Sequence, residues 1–224
     1  MTETPDSASA GPGAGGVFDA AFLARFEDLL AWRRDVRRFR TDPLPDDMLQ
    51  RLLKAAHMAP SVGNSQPWRF VTVDEAARRE AVRASFRRAN REALASYSGE
   101  TASLYATLKL EGLSRAPVQL AVFCDGETGQ GAGLGRRTMP EMLAYSCVCA
   151  VNTLWLAARA QGVGLGWVSI LEPETVADAL DVPASWRLIA YLCMGYPAEE
   201  HLDPELERAG WQAGTGLDAR WVRR

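Results

Sequence analysis

A long apolar segment, Pro140–Ala160, constrains the fold of this 224-residue chain more than any other feature of the sequence. It is apolar on most sides of a helix, so a helix here has to be buried in a core or in a subunit interface. Its longest apolar run starts at Leu143 and contains Asn152 and Arg159. That run is too short and too polar for a membrane span. The segment therefore predicts a buried helix and no membrane anchor.

Four short apolar runs predict the strands of a sheet, because runs of this length between helical segments fit buried strands. They are Arg69–Val73, Val118–Cys124, Trp167–Ile170 and Arg187–Met194. Helical spacing and helix-start residues predict further helices at Val17–Ala31, Asp46–Met58, Asp74–Tyr97, Thr101–Ser114 and Pro173–Leu180. This order predicts an α+β fold with a central sheet of four or five strands. No break in composition divides residues 17–224, which are expected to form a single domain.

The first 16 residues, MTETPDSASAGPGAGG, lack the basic and apolar regions of a signal peptide. Their content of Gly, Ala, Ser and Pro predicts a disordered tail. The four cysteines of the chain form neither a C-x-x-C pair nor a cluster with the spacing of zinc ligands. Cysteines scattered in this way fit a reducing compartment. The sequence therefore predicts a cytoplasmic protein without a metal site.

The balance of 25 basic against 28 acidic residues excludes a generally basic nucleic-acid binder. One basic cluster nevertheless stands out, with five arginines among the eight residues Arg33–Arg40. Guanidinium groups bind phosphate bidentately, so the cluster fits either a phosphate site or a solvated basic surface. Asp35 lies among the arginines, whose charge favours its ionised form. It either pairs with them or accepts a proton from a ligand.

Two further segments carry candidate ligand-binding groups. The loop PSVGNSQPW places hydroxyl and amide groups at Ser61, Asn64 and Gln66, just before a strand. Such groups suit a planar polar heterocycle, although an ordinary turn has the same composition. The glycines of Gly162–Gly166 precede another strand and allow the backbone to approach a ligand or another chain closely. A helix end followed by a strand explains these glycines equally well.

Several familiar catalytic motifs are missing from the sequence. The glycine-rich loop Asp125–Arg137 stands between a strand and a helix, but it lacks the spacing G-x-G-x-x-G and is too long for a dinucleotide-binding turn. The chain also has no P-loop, G-x-S-x-G or H-E-x-x-H motif. Because His57 and His201 lie outside any motif, a Ser-His-Asp triad is not expected.

Together, the segments R-R-x-x-R, P-S-x-x-N-x-Q-P-W and G-x-G-x-G-W, in this order, resemble the FMN-dependent nitroreductase superfamily. The resemblance covers about Ala31–Trp211. It implies an α-β-α sandwich with a central mixed sheet of four or five strands. It also implies a homodimer with flavin sites between the subunits, in which Pro140–Ala160 supplies much of the interface.

Four features resemble one branch of the superfamily in particular. Asp35 stands where typical nitroreductases carry serine, and three later groups of segments match that branch. These groups are Leu108–Gly112 with Ala116–Pro117; Tyr145–Ser146, Cys149–Val151 and Leu154–Ala160; and Gly166–Ile170 with Pro204–Leu206 and Gly210–Trp211. In that branch reduced FMN is the substrate, which an oxygen-dependent reaction breaks into 5,6-dimethylbenzimidazole, the lower ligand of vitamin B12, and erythrose 4-phosphate. The resemblance therefore implies an oxidoreductase of cobalamin biosynthesis, to which a separate NAD(P)H-dependent flavin reductase supplies reduced FMN.

The resemblance also assigns residues to flavin binding. Arg33, Arg34 and Arg37 would hold the phosphate and the ribityl chain. Side-chain and backbone contacts to the flavin would come from Ser61, Asn64, Gln66, Gly164 and Gly166. Many nitroreductases add a C-terminal basic pair at the phosphate, for which the candidates here are Arg208, Arg220, Arg223 and Arg224.

Two residues match the catalytic positions of that branch, Asp35 and Ser169. Asp35 would remove the proton from the ribityl carbon C1′, because no histidine lies in any motif. Ser169 can only donate or accept a hydrogen bond, so it would orient a group or relay a proton. The polar-poor stretch Ala93–Leu110 would act as a lid that excludes water from the reaction.

Three other functions remain open at this point. An NAD(P)H-dependent FMN nitroreductase or flavin reductase would keep FMN bound, but the negative charge of Asp35 would disfavour the approach of an anionic nicotinamide cofactor. A flavin-storage protein would need the arginines but neither Asp35 nor Ser169. A nucleic-acid-binding module would use the arginine cluster as a basic patch.

Overall fold

A four-stranded sheet forms the centre of the computed structural model, which describes residues 16–108 and 112–224. In chain order the strands are β1 (Trp68–Thr72), β2 (Val118–Asp125), β3 (Gly164–Val168) and β4 (Trp186–Gly195). Their order across the sheet is β1-β2-β4-β3, and each neighbouring pair is antiparallel. The two longest strands thus occupy the centre, where both faces are covered, as their nearly continuous apolar sequences require.

The sheet differs from the predicted mixed sheet in the direction of its strands. Among the described residues, parallel pairing is confined to an isolated bridge between Asp35 and Leu165. The mixed sheet was implied by the resemblance, and the helices that separate the strands do not fix the direction of the strands. A helical connection is required between parallel neighbours, but it does not exclude antiparallel ones.

Within the described residues, eight α-helices flank the sheet. They are α1 (Ala20–Trp32), α2 (Met48–His57), α3 (Ala76–Ala95), α4 (Gly99–Thr107), α5 (Gly112–Arg115), α6 (Met142–Arg159), α7 (Pro173–Leu180) and α8 (Glu205–Arg208). The helix predicted over Thr101–Ser114 is divided between α4 and α5, and residues 109–111 lie outside the described part. Residues 1–15 of the predicted tail also lie outside it.

Alternate residues of β2 face two apolar layers, as the period of a strand requires. Leu120 and Val122 pack in one core cluster with residues of α2 and α6. Ala121 and Phe123 pack in the other cluster, with residues of α3, α5 and α7. Helices on both faces of the sheet confirm the predicted α-β-α sandwich.

Helix α6 is the buried apolar helix that the sequence predicts. Its length and its mean hydropathy of 1.2 would allow it to cross a membrane. Its buried side chains, however, pack against the sheet and α2 inside the fold. This packing identifies α6 as a core helix.

One side of α6 stays exposed. Tyr145 and Val148 on α6 are 50% and 41% exposed. Helix α1 contacts α6 but has no buried residues, and Phe22, Leu23 and Phe26 on it are exposed. These five exposed apolar residues, on two helices that contact each other, are together called the α1–α6 surface below.

Candidate active site

The arginine-rich segment runs as an extended chain beside the free edge of β3. The backbone N–H of Val36 donates to Leu165 O at 3.0 Å, next to the parallel bridge between Asp35 and Leu165. The segment is therefore not helical.

Glycines in β3 allow this close approach. A Cβ atom on Gly166 would lie 2.1 Å from Val36 O, and one on Gly164 would lie 2.8 Å from Val36 Cγ2. The predicted close approach of a second backbone is thus observed, and the partner is the chain's own arginine segment. The two glycines belong to the strand itself, so β3 begins three residues earlier than the predicted Trp167. Contacts of Gly164 and Gly166 with flavin stay a prediction.

Asp35 is held from two sides. Its Oδ1 accepts a hydrogen bond from the backbone N–H of Trp167 at 2.9 Å, and its Oδ2 lies 3.5 Å from Arg37 Nε. Both contacts favour the ionised form, but burial outweighs them and raises the pKa of Asp35 above its ordinary value. A carboxylate with a raised pKa is a better proton acceptor.

A small cavity of about 210 Å³ lies next to Asp35 and is lined by Gly112, Trp167 and Cys193, among others. The Cys193 thiol is buried there, and burial raises its pKa to about 12, with the Asp35 carboxylate contributing in the same direction. The thiol is therefore neutral at neutral pH. Among the described residues that line the cavity, this leaves Asp35 as the candidate proton acceptor.

Acidic side chains from the C-terminal segment face the arginines. Arg38 pairs with Glu199 and, at 3.4 Å, with Glu205. Arg37 Nε lies 3.9 Å from Glu205 Oε2, and this distance and the 3.5 Å to Asp35 exceed an ordinary hydrogen bond. Within the described residues, Arg37 Nε is buried without a hydrogen-bond partner. It therefore keeps the capacity to donate to an anion.

These residues line an open cleft of about 440 Å³. Arg34 Nε donates to Leu202 O at 2.5 Å there, and Arg208 pairs with Asp203 at 3.1 Å. Of the four C-terminal arginines considered as phosphate ligands, Arg208 is the one that lines this cleft. The Arg33 guanidinium lies instead over the ring of Trp155 on α6, at 5.2 Å.

Sequence reasoning misses the acidic half of the cleft, Glu199 and Glu205. The acid-rich stretch that follows β4 could have indicated these two residues. Partly buried arginines need counter-charges, and this stretch supplies them. Its place beside the arginine segment depends on the backbone bond from Ala198 N–H to Arg38 O at 3.0 Å, which joins residues far apart in the sequence.

The second predicted group, Ser61, Asn64 and Gln66, lies in a loop around the 3₁₀ turn Val62–Asn64. Ser61 Oγ accepts a hydrogen bond from the backbone N–H of Gln66 at 3.1 Å. From the glycine-rich loop, Gln130 Nε2 donates to Asn64 O at 2.7 Å and to Gln66 Oε1 at 2.9 Å. The glycine-rich loop thus holds the polar loop in place.

The arginine segment and the polar loop contact different ends of α6. Val62 N–H donates to Ser146 Oγ at 3.0 Å, and Trp155 Nε1 donates to Arg34 O at 3.3 Å. At a rise of 1.5 Å per residue, Ser146 and Trp155 lie about 14 Å apart along the helix axis. Within one chain, the structure therefore groups the arginines with Asp35 and leaves the polar loop at the opposite end of the helix.

Ser169 is exposed and directly follows β3. It lies two residues beyond Trp167, whose backbone N–H binds Asp35. Both predicted catalytic residues are therefore connected to β3. Asp35 is hydrogen-bonded to the strand, and Ser169 follows its last residue. A role for Ser169 toward a ligand stays a prediction.

The predicted lid, Ala93–Leu110, comprises the end of α3, helix α4 and two residues outside the described part. Its aromatic side chains contact the C-terminal segment, with the rings of Tyr97 and Tyr105 at 5.6 and 6.2 Å from that of Trp211. The described part of the stretch is therefore fixed to the segment that follows the acidic residues of the cleft.

Comparison with protein families and curated proteins gives consistent results. Residues 30–196 match the model of the nitroreductase family. A 5,6-dimethylbenzimidazole synthase from Rhodospirillum rubrum is 58% identical over 199 residues, which cover 89% of this chain and 94% of that protein. A protein of the same name from Rhodobacter capsulatus is 48% identical over 207 residues, 92% of this chain and 99% of its own length.

Solved structures include relatives of the same fold. The structure of oxidised iodotyrosine deiodinase bound to FMN and 3-iodo-L-tyrosine matches with a TM-score of 0.66 and 27% sequence identity. The match covers 78% of this chain and 91% of that one. The arrangement of helices and strands described above is therefore shared with a flavin-binding protein.

Proposed function

This chain belongs to the nitroreductase family, and from that premise we propose that it is a 5,6-dimethylbenzimidazole synthase. The reaction is the oxygen-dependent fragmentation of reduced FMN to 5,6-dimethylbenzimidazole, the lower ligand of vitamin B12, and erythrose 4-phosphate. The observation that carries the proposal is the carboxylate of Asp35, fixed by Trp167 N–H beside the arginine cleft. The identity to two synthases over nearly the whole chain supports it.

The arginines are the proposed site of the FMN phosphate and ribityl chain. Arg37 Nε is buried without a hydrogen-bond partner among the described residues, and Arg34 bonds to a backbone carbonyl rather than to a carboxylate. Both therefore retain donors for a phosphate group. Arg208 lines the same cleft and is our choice for the C-terminal phosphate ligand. Arg33 would contribute from its position over Trp155.

Asp35 is the proposed general base. Reduced FMN supplies the electrons for oxygen and the carbon skeleton of the product. Asp35 would receive the proton that leaves the ribityl carbon C1′, a role for which its raised pKa is suited. The hydrogen bond from Trp167 N–H orients its Oδ1, so Oδ2 faces Arg37 and the cavity.

Ser169 and the lid have supporting roles in this proposal. Ser169 would orient a ligand group or relay a proton, since its hydroxyl can donate and accept but has no basic pKa. The lid would exclude water. Backbone contacts of Gly164 and Gly166 and the polar groups of Ser61, Asn64 and Gln66 would complete the flavin site.

A homodimer explains how separated groups could serve one flavin. The polar loop and the arginine segment lie at opposite ends of α6 within one chain. The α1–α6 surface is apolar and uncovered, which is typical of a surface that a second subunit buries. We propose that two chains pair through this surface and that each flavin site lies between them.

The remaining parts of the proposal concern the cellular setting. A separate NAD(P)H-dependent flavin reductase would supply reduced FMN, and the reaction would use oxygen without a metal. All four cysteines are free thiols, which fits the reducing cytoplasm.

An NAD(P)H-dependent nitroreductase or flavin reductase is the second candidate, favoured by the family match alone. Such an enzyme keeps FMN bound and cycles it between oxidation states. The Asp35 carboxylate beside the arginine cleft disfavours the approach of an anionic nicotinamide cofactor. We therefore place the synthase first.

The test is to mix the protein with reduced FMN under air and to look for 5,6-dimethylbenzimidazole by mass spectrometry. Free reduced FMN without protein is the control. We expect product above that control, with FMN consumed in proportion. If FMN is merely reoxidised, the synthase proposal fails, and turnover of NAD(P)H by the FMN-loaded protein would then identify a reductase.

A further inference from the structure

The segment that carries Ser169 is held at both of its ends. Before it, Val168 is the last residue of β3 and is paired with β4. After it, the backbone N–H of Glu172 donates to Ser85 Oγ on α3 at 3.0 Å. Ser85 is fully buried and α3 packs against α7, so this anchor lies in the interior. The three residues Ser169–Leu171 therefore connect two fixed points.

The side chain of Glu172 adds a second anchor to the same helix. Arg88, one turn after Ser85 on α3, donates from Nε to Glu172 Oε1 at 2.6 Å and from Nη2 to Oε2. Thr175 Oγ1 also donates to Glu172 Oε2, at 2.8 Å. A bidentate guanidinium fixes the orientation of a carboxylate as well as its distance. The hydrogen bonds from Arg88 and Thr175 lower the pKa of Glu172 to about 2, so the carboxylate is ionised at neutral pH.

The exposure of this ion pair indicates a geometric role. The side chains of Arg88 and Glu172 are 44% and 30% exposed, and an ion pair this open to water contributes little to the free energy of unfolding. Leu171 packs against the same apolar cluster as Phe86 of α3. Because Glu172 is three residues after Ser169, the position of the Ser169 hydroxyl depends on how α3 holds Glu172.

Helix α3 also holds the predicted lid. Tyr105 on α4 donates from its hydroxyl to Asn90 Oδ1 on α3 at 2.9 Å. Asn90 is five residues after Ser85, which corresponds to about 8 Å along the helix axis. The lid and the segment after Ser169 are therefore attached to neighbouring turns of one helix.

We propose that Arg88 and Glu172 are positioning residues for Ser169 in the synthase reaction. This inference rests on the proposed function, in which Ser169 orients a ligand group or relays a proton. The pair holds the end of the segment against α3 and so sets where the Ser169 hydroxyl lies relative to β3 and Asp35. Both side chains lie outside the described linings of the arginine cleft and of the cavity beside Asp35. They therefore act through Ser169 and not on the flavin.

The test is a double-mutant cycle of Glu172→Gln with Ser169→Ala. Glu172→Gln keeps the size of the side chain and removes the charge that binds Arg88. Alone, it should lower kcat for product formation about tenfold, because a small displacement of a positioned group has effects of this order. The affinity for FMN should not change. In the Ser169→Ala background the same substitution should have no effect, because the hydroxyl that it displaces is gone.

Glu80→Gln is the matched control, since Glu80 lies on α3 and pairs with Arg83 and Arg87. It should leave product formation unchanged. Arg88→Gln is a second variant of the pair and should repeat both results of Glu172→Gln. Circular dichroism and urea unfolding check that every variant folds. Ser169→Cys, whose thiol is a weak hydrogen-bonding group, replaces Ser169→Ala should the alanine variant form too little product to measure.

Three outcomes would overturn this inference and leave the synthase activity standing. A full rate in Glu172→Gln would show that the pair does not position Ser169. An equal loss of rate in the two backgrounds would give the pair a purely structural role. Full activity of Ser169→Ala would remove the group that is positioned. Absence of product from the wild-type protein is a separate result, because it removes the proposed function and this inference with it.

Discussion

The two ends of helix α6 hold candidate ligand-binding groups by different means. At its C-terminal end the groups are charged side chains, with Arg37 between the carboxylates of Asp35 and Glu205. At its N-terminal end the interactions involve backbone groups of the polar loop. There the glycine-rich loop and Ser146 fix a polar loop through backbone N–H and carbonyl groups.

Because the two ends of α6 use different interactions, substitutions at each end should have different effects. The charged end depends on ionised groups, so substitutions that remove charge without changing size should alter binding or chemistry there. The backbone end depends on conformations that side chains disfavour, so a single added methyl group should alter stability there.

The largest effect is expected for Asp35→Asn. If Asp35 is the general base, its loss should lower the rate of product formation about 10²- to 10⁴-fold. The affinity for FMN should change little, because the arginines remain. Product is measured by mass spectrometry and FMN binding by fluorescence titration.

Asp42→Asn is the matched control for Asp35→Asn, since Asp42 is an exposed carboxylate that pairs with Arg40. It should leave both product formation and FMN binding unchanged. Normal product formation by Asp35→Asn would remove Asp35 as the base. It would leave the charged end with a binding role alone.

The next effect is expected for Arg37→Gln. Loss of a charge-assisted hydrogen bond to phosphate should weaken FMN binding about tenfold to a hundredfold. The weakening should persist at high salt, because salt screens a largely buried charge much less than an exposed one. Arg40→Gln is the control, since Arg40 is exposed and pairs with Asp42. Equal affinities for the two variants would contradict a phosphate role for Arg37.

At the backbone end, Gly131→Ala should lower the free energy of unfolding by about 1–3 kcal/mol. Gly131 has φ +80°, and a Cβ atom there would lie 2.5 Å from Gly63 O in the polar loop. Gly129→Ala is the control, since no atom lies within 4 Å of the Cβ position. Urea unfolding measures both variants. Similar stabilities would show that the backbone contact between the loops matters little.

The charged end was largely predictable from the sequence, and its partners were not. Arginines and an aspartate in one short segment predict an anion site from residue types alone. Glu199 and Glu205 reach the arginines through tertiary packing across more than half the chain, which no local pattern encodes. The predicted helices and strands follow from hydrophobic period, whereas the strand direction does not, because helical connections allow both directions.

The backbone end was predictable in composition but not in geometry. Ser61, Asn64 and Gln66 were identified from their polar groups. The spacing of residues in the sequence does not predict the positive φ angles of Asn64 and Gln66. The glycine-rich loop could be excluded as a dinucleotide-binding motif. Its actual role, close packing against Gly63, depends on a contact between loops on opposite sides of β1 and β2 in the sequence.

The smallest effect concerns the pH dependence of stability at the charged end. Below pH 3.8, the ordinary pKa of an aspartate, Asp35 is protonated in both the folded and the unfolded chain. As the pH rises from there through the raised pKa of the folded state, the unfolded chain ionises first. The wild type should therefore lose stability relative to Asp35→Asn over this window and show no further change above it.

Asp42 provides the opposite case, because pairing with Arg40 lowers its pKa in the folded chain. The stability that it contributes should be present above its ordinary pKa and lost as the pH falls through the lowered one. Urea unfolding of the wild type, Asp35→Asn and Asp42→Asn over a pH series measures both differences. If the two differences have the same sign, burial does not control the ionisation of Asp35, and the proton-acceptor role would then lack its electrostatic basis.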